Sequence, residues 1–333
     1  MSRATSSVSS TTDVAPTPTL DDLRAATCSD GAPSARNLLV TVFGDALLPH
    51  GDDTSISVRA LSRLLGAFGV NERLVRTSLT RLVNDGLLTT TSAGRRSFYR
   101  VAPQARDLFG QADHRIYRGT PDEWDGSWTI VVIDGSEGTA RRRARLRQEL
   151  AWAGLGVVAP NVMASPIVDA EAAARVVGHV GGFTNVLVSR SSVIEGDGTL
   201  GADELAHRVA ALEEIAGRYA RFIGRYEGYL AGDLDELAPE LAFKLRTLLV
   251  AEFRRIALAD PQLPARLLPA DWIGTRARRL AAAIYAAVAA SSEAFLVAIA
   301  DPKLGTAATM PDRFGDSQMS GVVVDGDGAR HRS

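Results

Sequence analysis

NERLVRTSLTRLVNDGLLTTTSAGRRSFYR, residues 71–100, is the stretch from which the rest of the chain can be read. On a helical wheel of about 100° per residue, Val75, Leu79 and Leu82 fall together, with Leu74 and Val83 on the flanks. Arg73, Arg76, Thr77, Thr80, Arg81 and Asn84 take the opposite side. One face is built to pack, and the other presents guanidinium and hydroxyl groups. Asn71 is suited to cap such a helix and Glu72 to its first turn, while Asp85-Gly86 stops it. Residues 87–91, a Ser-Ala-Gly turn and residues 95–101 then read as a β-hairpin with a basic tip. Helix, strand, basic turn, strand is the order of a winged helix-turn-helix.

An arginine-bearing face can also be a plain solvated surface, and local charge bears on the choice. Residues 57–100 hold eight arginines (59, 63, 73, 76, 81, 95, 96 and 100) against two acids, Glu72 and Asp85, a net of +6. The whole chain carries −2. A basic island in a slightly acidic protein is the footprint of phosphate contact. Upstream, residues 38–48 form a largely apolar helix ending before Pro49. Ser57 caps a second helix with a Val58, Leu61, Leu64, Leu65 stripe, and Gly69-Val70 turns into the Asn71 helix. A helix, a short turn and a second helix are the parts of a DNA reader.

The 333 residues allow two or three domains. No run reaches the uninterrupted apolar length of a membrane span, and the Ser/Thr/Pro-rich start lacks a signal-peptide core, so a cytoplasmic protein is expected. Cys28 is the only cysteine, which excludes an internal disulfide and any cysteine-based zinc site. Residues 1–33 and 304–333 have the composition of disordered segments.

The runs LLVTVFGDALLP, LLGAFGVNERLVRTSLTRLVNDGLL and GRRSFYRVAP resemble the PaaX family of bacterial transcriptional repressors, the phenylacetic acid degradation repressor family. Three later runs match in family order: WDGSWTIVVID at 124–134, LGVVAPNVMASP at 155–166 and DPQLPARLLPADWIGTRA at 260–277. The likeness covers roughly residues 34–300. Departures are the long leader and tail, and Met163-Ala164 in place of an aromatic and a bulkier apolar residue.

The resemblance implies an α+β multidomain chain. Its parts are an N-terminal winged helix-turn-helix (34–102), a connecting helix (103–123), a central ferredoxin-like, Cas2-like βαββαβ domain (124–198) and a C-terminal helical domain (199–303). The pattern supports this independently. Apolar strands at 128–133, 155–159, 161–165 and 183–188 alternate with helices at 139–153 and 169–180 in the split βαβ order. Helices follow at 201–230, 237–259 and 272–298.

Double-stranded DNA is therefore the expected partner, with Asn71 as cap and Arg73, Arg76, Thr77 and Thr80 toward base edges. Arg81 suits phosphate, Arg95 and Arg96 a minor groove or backbone, and Tyr99 either phosphate or packing. The resemblance implies palindromic operators, hence a homodimer. It also implies an aryl-coenzyme A thioester effector of the phenylacetyl-CoA type, with no cofactor or metal. Arg218, Tyr219, Phe222, Arg225 and Tyr226 interleave cations and rings on one helix and are candidates for that ligand, with Trp272 from the later motif. The plainer reading makes Phe222, Tyr226 and Tyr229 a packed face and Trp272 a helix-start anchor. Arg141, Arg142, Arg143, Arg145 and Arg147 form a second basic cluster or a solvated surface.

Two alternatives differ in class. The Cas2-like likeness allows a metal-dependent nuclease using Asp134 at the end of the WTIVVID strand, though one carboxylate is a thin basis for such a site. A DNA-binding regulator with no small-molecule effector is the other.

Overall fold

The computed structural model describes residues 33–94, 96–119, 124–136, 138–193, 199–210, 212–300 and 313–314. The expected leader, with Cys28, lies outside them but for residue 33, as does most of the expected tail.

The N-terminal unit starts at α1 (Ala35–Thr41), where the Ser34 hydroxyl accepts from the Asn37 amide at 3.2 Å. Its helical path continues through a π turn (Val42–Leu47) and a 3-10 turn (Leu48–His50) containing Pro49. Strand β1 (Ile56–Ser57) leads straight into α2 (Val58–Gly66), and the Ser57 hydroxyl accepts from Ala60 N at 3.1 Å. Helix α3 (Glu72–Asn84) is capped by Asn71, whose Oδ1 accepts from Leu74 N at 2.9 Å. Gly86 takes a φ of +72°, which an L side chain resists, and the chain turns out of α3 there. Strands β2 (Leu88–Ala93) and β3 (Arg96–Val101) pair antiparallel from Leu88↔Val101 to Ala93↔Arg96, and β1 joins the other edge of β3. Leu38, Leu39, Leu61, Leu65, Val75, Leu79 and Leu82 meet in one core, closed from outside by Phe243, Leu248 and Leu296 of the C-terminal helices.

The connection is a 3-10 turn (Pro103–Ala105), α4 (Arg106–Asp113) and a π turn (His114–Arg118). Ile116 and Tyr117 at its end are buried in the C-terminal core.

The central unit runs β4 (Ser127–Ile133), α5 (Ala140–Trp152), β5 (Gly156–Ala159), β6 (Val162–Ser165), α6 (Ala170–Val180) and β7 (Val186–Ser192). The sheet order is β5-β6-β4-β7 with every neighbour antiparallel, the split βαβ arrangement the pattern predicts. Val131, Ile133 and Met163 pack with Leu146, Leu150 and Ala173 on the helical side. Trp128 and Ala164 face the other side, where α7 (Ala202–Ala210) brings Leu205 and Ala206. That helix comes so close that a Cβ on Gly156 would sit 2.0 Å from the Val209 carbonyl oxygen.

The remainder is helical. Helices α7 and α8 (Leu212–Tyr226) flank residue 211, and α9 (Pro239–Ala257) and α10 (Ile273–Ile299) pack along one another. The 27-residue α10 is, by length and composition, apolar enough to cross a membrane. Its apolar face, including Ala277, Leu280, Ile284 and Val288, instead meets the C-terminal core. Arg313 and Phe314 belong to the stretch whose composition reads as disordered; here Arg313 is partly buried and Phe314 buried, because the cation finds a carboxylate and the ring an aromatic pocket.

Candidate nucleic-acid interface

The α3 helix divides as its wheel predicts. Val75, Leu79 and Leu82 are buried, while Asn71, Arg73, Arg76, Thr77, Thr80 and Arg81 are exposed. Leu74, on the flank of the apolar arc, is 52% exposed and adds an apolar contact point to the polar face.

The polar side chains are held lightly. Arg76 donates to Glu72 Oε1 through Nε and Nη2, at 2.9 and 2.6 Å, in an exposed (i, i+4) pair. Thr77 and Thr80 hydroxyls donate to the carbonyls of Arg73 and Arg76 at 2.9 and 3.0 Å, which leaves oxygen lone pairs and methyl groups for a partner. Arg73 and Arg81 make no ion pair among the described residues. Arg36 of α1 pairs with Asp85 at the end of α3. On the ribbon, Arg96 is exposed and Arg95 lies outside the described residues. Tyr99 packs against the N-terminal core. Arg100 bonds Asp53 at 2.7 Å, so part of the +6 counted along the sequence is offset by acids folded in from outside that window.

The six ligand candidates divide between the core and the surface. Phe222 stacks on Tyr226 and Phe253 at centroid distances of 4.7 and 5.4 Å, and all three rings are core. Tyr219 is also buried; its hydroxyl donates to Asp260 Oδ2 at 2.7 Å, and burial first, then the Asp260 charge, pushes its pKa up. Trp272 precedes α10 with its ring edge-on to Tyr219 at 6.2 Å. Spacing that interleaves rings and cations sends the rings inward and the cations outward, because only the rings gain by leaving water. Arg225 pairs with Glu252 and Arg218 with Glu214. Arg218 also borders a polar depression with Arg221, Glu252 and Arg255. On α5, Arg143 and Arg147 donate to the Gly138 and Pro160 carbonyls at 2.8 and 3.0 Å.

The sequence reading missed the hub of the molecule. Asp45 is buried, and its Oδ2 accepts from Arg246 Nε at 2.8 Å while Oδ1 accepts from the hydroxyls of Tyr117 and Tyr285 at 2.6 and 3.0 Å. Burial first, then the Asp45 charge, pushes both tyrosine pKa values well up. Arg313 donates to the carbonyls of Gly44 and Asp45, pairs with Asp113 and lies 4.3 Å over the Tyr117 ring. Phe314 presents against Tyr117 and Tyr285. The N-terminal unit, the connection, α9, α10 and the tail thus meet at one carboxylate. The available signal was a lone acid inside the apolar run LLVTVFGDALL, which must find a partner once buried.

Asp134 is partly exposed and accepts from Ser136 N and Oγ at 2.8 and 2.7 Å, bonds that hold its carboxyl below the ordinary carboxylate range. Among the described residues no group of three or more His, Cys, Asp or Glu side chains could hold a metal ion. The geometry gives Asp134 the role of a strand-end turn residue.

Comparison with known families places this architecture. Models of the PaaX-like protein, the PaaX protein central Cas2-like domain and the PaaX-like protein C-terminal domain match residues 34–105, 121–200 and 211–298 in order. The chain belongs to the PaaX family. A curated relative is the transcriptional repressor PaaX of Escherichia coli (strain K12), 34% identical over 269 residues, 79% of this chain and 83% of that protein. An uncharacterized protein from Mycobacterium tuberculosis shares the fold at 23% identity and a TM-score of 0.50, over 79% of this chain and 98% of that one.

Proposed function

We propose that this protein is a DNA-binding transcriptional repressor whose residues 34–102 act as a winged helix-turn-helix. The observation that carries the reading is the exposed Arg73, Arg76, Thr77, Thr80 face of α3, opposite a fully buried Val75, Leu79, Leu82 stripe. With α3 in the major groove, arginine spans two guanine acceptors and threonine meets a base edge or a thymine methyl. Arg81 grips phosphate, and Arg96 on the ribbon, with Arg95 next to it in sequence, reaches the minor groove or the backbone. The name of the E. coli relative, a transcriptional repressor, supports the same reading.

The finer proposals follow the family likeness. A cytoplasmic homodimer binds a palindromic operator upstream of genes for aromatic-acid breakdown, of the phenylacetate type. An aryl-coenzyme A thioester such as phenylacetyl-CoA releases it. Of the ligand candidates, Arg218 borders a polar depression with Arg221 and Arg255, which supports a phosphate contact there. The buried Tyr219, Phe222 and Tyr226 reach a ligand only if the core opens.

Selection of bound sequences from random DNA, followed by release with aryl-CoA thioesters and with the free acids, tests the whole reading. A selected palindrome, released by the thioester and bound more weakly as salt rises, is the expected result. Release by the acid alone overturns the thioester. Cleavage of the DNA with Mg²⁺, lost in Asp134→Ala, overturns the repressor in favour of a nuclease.

A further inference from the structure

A cavity of about 300 Å³ lies where the N-terminal unit meets the connection and the C-terminal domain, between α1, α4 and α9. Val40 and Leu87 wall it on the N-terminal side, Phe109 and Ile116 on the connection, and Val250 and Leu258 on α9. The polar groups in this apolar chamber are few, and most are already matched. Asp45 is held by Arg246 and Asp113 by Arg313. Arg36 has Asp85.

Arg254 is different. Its Nη2 donates to the Asn37 amide oxygen at 2.7 Å, its buried Nε has no hydrogen-bond partner, and it makes no ion pair among the described residues. The neighbouring buried arginines, Arg246 and Arg313, both face Asp45. A guanidinium taken out of water beside a neutral amide bears a desolvation cost that an arriving anion would offset. Leu108, also lining the cavity, is 56% exposed, so an apolar body seated there would cover a residue now facing solvent.

We propose that this cavity binds a small organic anion with an apolar body, a carboxylate by preference, its head on Arg254 and Asn37 and its body between Val40, Leu87, Phe109 and Val250. The volume lies at the lower end for ligand pockets. A whole nucleotide-bearing thioester does not fit it, so the occupant is distinct from the coenzyme A effector considered above.

The site is wired to the reading head. Arg36, at its wall, holds Asp85 at the C-terminal end of α3, and Leu87 follows α3 directly into β2. A ligand wedged against α1 and Leu87 on one side and α4 and α9 on the other biases how α3 is presented. This consequence for DNA rests on the operator-binding reading; occupancy of the cavity does not.

Octanoate and 4-phenylbutyrate, with their primary amides as neutral controls, are titrated calorimetrically into the full-length protein. Thermal unfolding and operator affinity are followed in parallel. The acids should bind, raise the unfolding temperature and change operator affinity, with the amides at least about tenfold weaker. Arg254→Gln should bring acid affinity down to the amide level while still binding operator. Val40→Phe should fill the chamber and remove acid and amide binding alike. Equal binding of acid and amide, acid binding unchanged in Arg254→Gln, or no binding by the wild type overturns the site. If the wild type still binds operator in that last case, the repressor reading stands alone. Acid binding with operator affinity unmoved keeps the site and overturns its coupling to DNA.

Discussion

Two arginine–carboxylate pairs of nearly the same length do opposite jobs here. Arg76 and Glu72 on α3 are 2.6 Å apart and each 59% exposed. Arg246 and Asp45 at the domain junction are 2.8 Å apart, with side chains 2% and 4% exposed. In water the first pair competes with solvent and salt and contributes a few tenths of a kcal/mol, so Arg76 can leave Glu72 for a base or phosphate at little cost. The second has no solvent to fall back on, and separating it strands a charge in the core. Surroundings, not distance, make one pair a tool and the other a fastener.

Asp45→Ala breaks this contrast most sharply. It leaves Arg246 with only the longer 3.8 Å pair to Glu293 and two tyrosine hydroxyls without their acceptor, and should lower the unfolding free energy by about 3 kcal/mol in urea titrations. A loss as small as that of an exposed pair would remove the distinction. Phe314→Ala comes next, at about 3 kcal/mol, because a buried ring is lost from the same junction. An unchanged midpoint would mean the tail is not docked in solution.

Arg76→Ala sharpens the other side. Operator affinity should fall by about 1–3 kcal/mol while stability moves by less than about 0.5 kcal/mol. Unchanged affinity would take Arg76 out of base reading. Asn71→Ala should destabilise by about 1 kcal/mol through the lost α3 cap, read as a small shift in thermal midpoint.

The smallest expected effect is a change of slope with pH. Burial, partly offset by bonds from Gln262 N and the Tyr219 hydroxyl, holds the Asp260 carboxyl above its ordinary range. The folded state then binds this proton more tightly than the unfolded one, whose carboxyl titrates near ~3.9. The resulting stability is full below that value and is lost as pH rises through the folded pKa. Unfolding measured across that window should show a shallower pH dependence in Asp260→Asn than in the wild type.

Surface elements were legible because their signals are local. Ser57 and Asn71 cap the helices their positions announce, and Val75, Leu79 and Leu82 are buried as a 3.6-residue repeat requires. The β-α-β-β-α-β order was legible from apolar runs alone. The rings of α8 misled as ligand candidates, since the same spacing serves a binding face and a packed one, and only Phe253 and Trp272, distant in sequence, decide between them. The extent of α10, expected at 272–298 and found at Ile273–Ile299, was legible because its alanine-rich run is bounded by prolines before it and Asp301-Pro302 after it.

What the sequence determined by itself is the two-faced α3 helix with its ribbon and the split βαβ sheet, because periodicity, caps and turns act within a few residues. Only the tertiary structure decided which charges are spent and which are free. Asp45 meets Arg246 across 201 residues, Arg313 returns to Gly44 and Asp45 from the far end of the chain, and Arg254 is left facing an amide. Such pairings depend on burial, and burial is a property of the assembled domains rather than of any stretch of chain.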